Sequence, residues 1–181
     1  MPSTTLLESN TSSMLRGRDL GGVDPATVRS MQVGDVVPDF ELSDEDGTMR
    51  KLSNELTKGP VVLFFYPKAL TSGCTKESCH FRDLAGEFAA VGAQRIGISA
   101  DPVERQKKFS EKHSFDFPLL SDPDRAVAKQ LGAKRPGPIM NKRITYVIDT
   151  DRRILAVISS EMNMDKHADE ALAVLSKRTA A

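Results

Sequence analysis

The residues best suited to chemistry gather in one stretch, YPKALTSGCTKESCHF, residues 66–81. It holds both cysteines of the 181-residue chain, Cys74 and Cys79, and follows directly on the apolar run VVLFF. A strand that ends at Pro67 and a helix that opens near Thr71 or Ser72 would put Cys74 in a first helical turn. Either hydroxyl could cap that helix. Backbone N–H groups there lack intrahelical partners and carry the positive end of the helix dipole. Both effects favour a thiolate, the nucleophilic form of cysteine. The plainer reading makes both cysteines small buried hydrophobes, the commoner fate of free thiols. Thr-Ser-Gly beside Cys74 is polar turn chemistry and argues against it there. Cys79 is drawn in only by its nearness.

Several other chemistries fit this spacing poorly. Zinc would need two further ligands, and His80, His113 and His167 make no recognisable ligand pair, so each reads as ordinary surface or core. A dithiol oxidoreductase of the thioredoxin type separates its cysteines by two residues, whereas four stand between Cys74 and Cys79. Neither a glycine-rich phosphate loop nor a Ser-His-Asp order is present.

The elements that must position the cysteines alternate along the chain. Phe40 and Leu42, the turn at Asp46-Gly47, then Met49 and Leu52 predict a hairpin. PVVLFFYP and QRIGISA read as strands buried on both faces. Phe81, Leu84, Ala85 and Phe88 continue a helical period after Cys74. DPVERQKKFSEKHS predicts a helix with Asp101 as N-cap and Pro102 in its first position. FPLLSD predicts a short strand, and DRAVAKQL a helix closed by Gly132. RITYVID and ILAVISS predict antiparallel neighbours joined through Thr150-Asp151, and a last helix is expected from about Asp165 to Lys177. This order matches an α/β thioredoxin-like fold, a central mixed sheet flanked by helices, with an N-terminal β-hairpin extension. Residues 1–30 are polar and aperiodic and are expected to be a disordered tail, leaving 31–181 as the one folded domain.

Composition bounds the function. The chain has 25 basic and 25 acidic residues, so a strongly basic face would need an acidic counterpart elsewhere, and nothing asks for nucleic acid or an anionic membrane as partner. No apolar run approaches the ~18 residues of a membrane span, and the first thirty residues lack a signal-type apolar segment. A cytoplasmic location is expected. Two cysteines are too few for a disulfide scaffold.

YPKALTSGCTKESC resembles the active-site segment of the peroxiredoxins: Pro67, three residues, Thr71, two residues, Cys74. A second cysteine five positions on is similar to the bacterioferritin comigratory protein or PrxQ subfamily, of the atypical two-cysteine type. Arg143, opening a late core strand in KRITYVID, matches the family arginine, and Glu77 matches the acidic residue three after the first cysteine. The resemblance runs from about Met31 to Lys177. One departure stands out: Ser72 occupies a position where the subfamily commonly has proline.

The resemblance implies a thiol-dependent peroxidase for hydrogen peroxide and organic hydroperoxides. Cys74 would be the peroxidatic nucleophile, oxidised to a sulfenic acid, and Cys79 the resolving cysteine that closes a Cys74–Cys79 disulfide. Arg143 would hold the thiolate, while Thr71 and the backbone near Gly73 would align the peroxide. Pro67 would shield the sulfur, and Glu77 would orient the arginine. Thioredoxin or a similar dithiol would recycle the enzyme, which is expected to be a monomer with no metal or other cofactor. Two alternatives stay open: a one-cysteine peroxidase with a structural Cys79, and a thiol redox sensor or binding module. If both cysteines lie on one regular helix, their Cα atoms are roughly 8.7 Å apart. A disulfide tolerates up to about 7 Å, so the helix would have to unwind in each cycle, with Gly73 as its expected hinge.

Overall fold

The computed structural model describes residues 29–180. The tail expected over the first thirty residues therefore lies outside the described residues, apart from its last two. Of those two, Arg29 bonds Asp35 at 2.9 Å, and Ser30 Oγ donates to Gly132 O at 3.3 Å.

One seven-stranded mixed sheet organises the chain, in the order β2-β1-β5-β4-β3-β6-β7. The expected hairpin is β1 (Glu41–Ser43) and β2 (Met49–Lys51), held at the sheet edge through the pair Ser43↔Ser121. The run VVLFF forms β3 (Val61–Phe65), parallel to β4 (Gln94–Ser99) and antiparallel to β6 (Ile144–Ile148). β5 (Leu119–Ser121) extends the sheet past β4, and β7 (Ile154–Ser159) closes the far edge. All five residues of β3 are buried, and alternation sends them to two cores. Val61, Leu63 and Phe65 join α1 (Leu52–Leu56) and α5 (Ala126–Leu131). Val62 and Phe64 face α2 (Ser72–Asp83), α3 (Ala85–Ala90), α4 (Val103–His113) and α6 (Asp165–Ala180).

Four local expectations need correction. Leu52 does not end the hairpin but opens α1, because Asp39 Oδ1 accepts the Ser53 N–H at 2.9 Å and starts a helical turn. The helical period after Cys74 is bent at Leu84, between α2 and α3, although Leu84 N→His80 O and Phe88 N→Leu84 O carry the hydrogen bonding across. Pro102, not Asp101, is the N-cap of α4. The Asp101 carboxylate is occupied elsewhere, accepting from Ala69 N and Ser99 Oγ, both at 2.7 Å. Finally, α6 runs on to Ala180.

These packing choices fix the site. Phe64 and Phe81 stack at 4.2 Å between centroids, pinning the later half of α2 to the sheet; full burial of such a ring contributes about 3 kcal/mol. The strand register sets Ile144 opposite Phe65, so Arg143 arrives beside the end of β3, where the chain turns towards α2.

Candidate active site

The loop from β3 to α2 is held in place by the β4–α4 connection and the first turn of α4. Asp101 holds the Ala69 N–H, Arg105 Nη2 donates to Ala69 O at 2.9 Å, and the Tyr66 hydroxyl donates to Gln106. Leu70 takes a positive φ of 67°, a conformation that costs a branched residue energy and that the surrounding contacts must sustain. Thr71 then has extended dihedrals and is the N-cap of α2, but its side chain makes no cap bond. Its hydroxyl instead donates to Lys68 O at 2.9 Å, which corrects the expectation of a hydroxyl cap. With its hydrogen committed there, the Thr71 oxygen can still accept a hydrogen bond.

The first intrahelical bond runs from Thr75 N to Thr71 O at 2.9 Å, so the N–H groups of Ser72, Gly73 and Cys74 precede the ladder. Cys74 is 1% exposed in this first turn. Arg143, 5% exposed, lies against it with Nη2 3.4 Å from Cys74 Sγ, while Nη1 donates to Glu77 Oε2. Burial works against the Arg143 charge, yet Glu77 and Cys74 hold its proton more firmly than usual. Burial also pushes the Glu77 carboxyl up to about 8, against the opposing pull of Arg143. Pro67 is half-buried at the end of β3, and Cys79 is half-buried further along α2. Burial raises the Cys79 thiol, with Arg82 lowering it and Asp83 raising it. Cys74, Glu77 and Arg143 thus form one contacting group, Gly73 lies against it beside Arg143 Nη2, Thr71 is the N-cap of the same helix, and Cys79 stands apart as a free thiol.

Gly73 has a steric reason to be glycine. A Cβ there would stand 3.2 Å from Arg143 Nη2 and 3.6 Å from Met164 Cε. The guanidinium is held by Glu77 on one side and Cys74 on the other, so it cannot yield without loosening one contact. Gly73→Ala is therefore expected to lower the rate constant for peroxide about tenfold with the fold retained, read by stopped-flow thiol oxidation. An unchanged rate constant would mean that the guanidinium has room to move.

Two neighbours were given no part in the site by the sequence reading, which took His167 as ordinary surface or core and passed over Glu161. His167 is fully buried beneath Glu77, and Glu161 accepts from Arg143 N at 3.1 Å while pairing with Arg135. His167 had a legible signal. The buried α6 positions His167, Ala171 and Leu175 recur every fourth residue, which marks an inward stripe. Glu161, in the turn between β7 and α6, had none.

Residues 33–157 match the AhpC/TSA family. The crystal structure of peroxidoxin BcpB from Mycobacterium tuberculosis superposes with a TM-score of 0.79 at 61% identity, covering 81% of this chain and 97% of that one. A Xanthomonas campestris bacterioferritin comigratory protein, in a study of its alkyl peroxide reduction activity, gives a TM-score of 0.71 at 30% identity, covering 77% of this chain and 91% of that one. The chloroplastic peroxiredoxin Q of Sedum lineare is 39% identical over 145 residues, 78% of this chain and 76% of its own. The family resemblance read from the cysteine segment and the thioredoxin-like architecture are both borne out. The chain belongs to the AhpC/TSA family and is a peroxiredoxin, a thiol-dependent peroxidase.

Proposed function

We propose that Cys74 is the peroxidatic nucleophile, that Cys79 resolves it, and that a thioredoxin-type dithiol closes the cycle. The observation that carries this reading is the buried Cys74 Sγ in the first turn of α2, 3.4 Å from the Arg143 guanidinium. The thiolate attacks one peroxide oxygen and the O–O bond breaks. Sulfur gains that oxygen as a sulfenic acid, and the other oxygen leaves as water or alcohol after taking up a proton. Arg143 offsets charge on the sulfur and on the departing oxygen. Thr71 serves as acceptor for the peroxide O–H, since its own hydrogen is committed to Lys68 O. The N–H groups of Gly73 and Cys74 face the peroxide oxygens. Pro67 walls the approach, and Glu77 fixes the guanidinium plane.

Cys79 then displaces hydroxide from the sulfenic sulfur, releasing water and forming the Cys74–Cys79 disulfide. Both residues lie on α2, so roughly 8.7 Å between Cα atoms must shrink below about 7 Å, and the helix must open. The segment suits that. Six of its first eight residues, in SGCTKESC, are Ser, Gly, Thr or Cys, which are weak helix formers. Two of its buried atoms, Glu77 Oε1 and Ser78 Oγ, lack hydrogen-bond partners, and opening gives them water. Gly73 is the hinge of this motion.

No described helix is long and apolar enough to cross a membrane. A cytoplasmic monomer acting on hydrogen peroxide and organic hydroperoxides completes the proposal. A coupled assay with thioredoxin, its reductase and NADPH tests it, using hydrogen peroxide and a bulky hydroperoxide. Many NADPH equivalents per enzyme are expected. A single equivalent followed by arrest would favour a sensor that hands its oxidation to another protein.

A further inference from the structure

Ala69 is gripped at both its backbone N–H and its C=O by two residues that the cycle above does not use. Asp101 Oδ2 accepts the Ala69 N–H at 2.7 Å, and Arg105 Nη2 donates to Ala69 O at 2.9 Å. Arg105 Nε stands 3.0 Å from Asp101 Oδ1, so carboxylate and guanidinium close a ring around Ala69. The carboxylate is itself fixed. Ser99 Oγ donates to Asp101 Oδ2 at 2.7 Å, and Gln106 Nε2 donates to that hydroxyl at 3.0 Å. Ala69, Ser99, Asp101 and Gln106 are all buried, so water competes little for these bonds.

The next residue needs such a grip. Leu70 has a φ of 67°, in the left-handed region that crowds the Cβ of any residue but glycine. Such a conformation persists only where its surroundings impose it. Packing of the leucine does not impose it, since Leu70 is 37% exposed. The backbone on either side does. Before Leu70 stands the gripped Ala69; after it, the Thr71 hydroxyl donates to Lys68 O at 2.9 Å and closes the turn. That bond spans Leu70, so a return of Leu70 to negative φ would break it. Thr71 would then have its hydrogen free, and its oxygen would lose the orientation in which it accepts from a peroxide O–H.

We propose that Asp101 and Arg105 are positioning residues for the peroxidase reaction. Their grip on Ala69 holds Leu70 left-handed and so keeps the Thr71 hydrogen on Lys68 O and its oxygen ready for peroxide. Neither residue touches the reacting atoms. The inference rests on the assignment of Cys74 and Thr71 made above. The contact between Cys74 and Arg143 does not pass through Ala69. Loss of the grip therefore spoils the alignment of peroxide and leaves the thiolate in being.

The test compares two reactions of Cys74 in the reduced protein: oxidation by hydrogen peroxide, and alkylation by iodoacetamide read on the tryptic peptide that carries Cys74. Alkylation needs the thiolate but no aligned peroxide. Asp101→Asn replaces one carboxylate oxygen by an NH2 group, which cannot accept from Ala69 or Arg105, and should slow oxidation about tenfold. Arg105→Met keeps the stem but frees Ala69 O, and should slow oxidation about threefold. Alkylation should stay within about twofold of wild type in both. Glycine holds a positive φ without cost, so in a Leu70→Gly background Asp101→Asn should cost less than about threefold. A folded Asp101→Asn protein that oxidises within about twofold of wild type overturns the inference. So does alkylation that changes as much as oxidation, or an equal loss in both Leu70 backgrounds. Arg105 is half-exposed, so Arg105→Met decides by the same comparison should Asp101→Asn fail to fold. There, an unchanged oxidation rate overturns the inference. Thr71→Val separates the two levels. If it oxidises like wild type, the assignment of Thr71 falls; if it is slow while Asp101→Asn is not, only the grip falls.

Discussion

Cys74→Ser should lower the rate constant for peroxide by at least about a thousandfold, roughly 4 kcal/mol of transition-state stabilisation. The substitution keeps the size and position of the side chain at the start of α2. What it removes is ionisation: a serine hydroxyl is un-ionised at neutral pH, and nothing at the site is placed to take its proton. The Arg143 guanidinium, 3.4 Å from the sulfur, can stabilise an anion but cannot act as a base. Stopped-flow mixing with hydrogen peroxide measures the effect. Activity within about tenfold of wild type would overturn the mechanism.

Arg143→Lys should cost about a hundredfold or more in the same rate constant, although the charge is kept. The guanidinium reaches two partners at once, with Nη1 on Glu77 and Nη2 on Cys74. Lysine is a single point charge on a flexible stem and cannot span both in a fixed plane. Burial at 5% exposure also favours loss of the ammonium proton, whereas guanidinium keeps its own. Circular dichroism should show the fold retained. A rate constant within about twofold of wild type would remove Arg143 from the site.

How much of this was legible in the sequence differs by residue. VVLFF and RITYVI announce strands because burial on both faces leaves an unbroken apolar run. Cys74 was legible because a strand end, a turn and a helix start are all local signals. Arg143 was not local: it lies 69 residues from Cys74, and only the family resemblance pointed to it before the β3–β6 register brought the two together. Asp101 was misassigned because capping rules see only neighbours in the chain, and its carboxylate is taken by Ala69, in the loop that follows the adjacent parallel strand β3. The turn of α1 was missed because five residues are too few to show a period. His167 carried its stripe spacing, but its place at the site comes from Glu77, ninety residues earlier in the chain.

The central claim is that Cys74 and Cys79 are reagents in one cycle, and peptide mapping after one equivalent of hydrogen peroxide tests it most directly. Lys76 stands between the cysteines, so trypsin separates ALTSGCTK from ESCHFR unless a disulfide joins them. The account predicts a linked peptide pair lighter by two hydrogens than the sum of its parts, in a monomeric protein, and a sulfenic acid on Cys74 when Cys79 is replaced by Ser. Unlinked peptides with oxygen retained on Cys74 in the wild-type protein, or oxidation confined to Cys79, would contradict it.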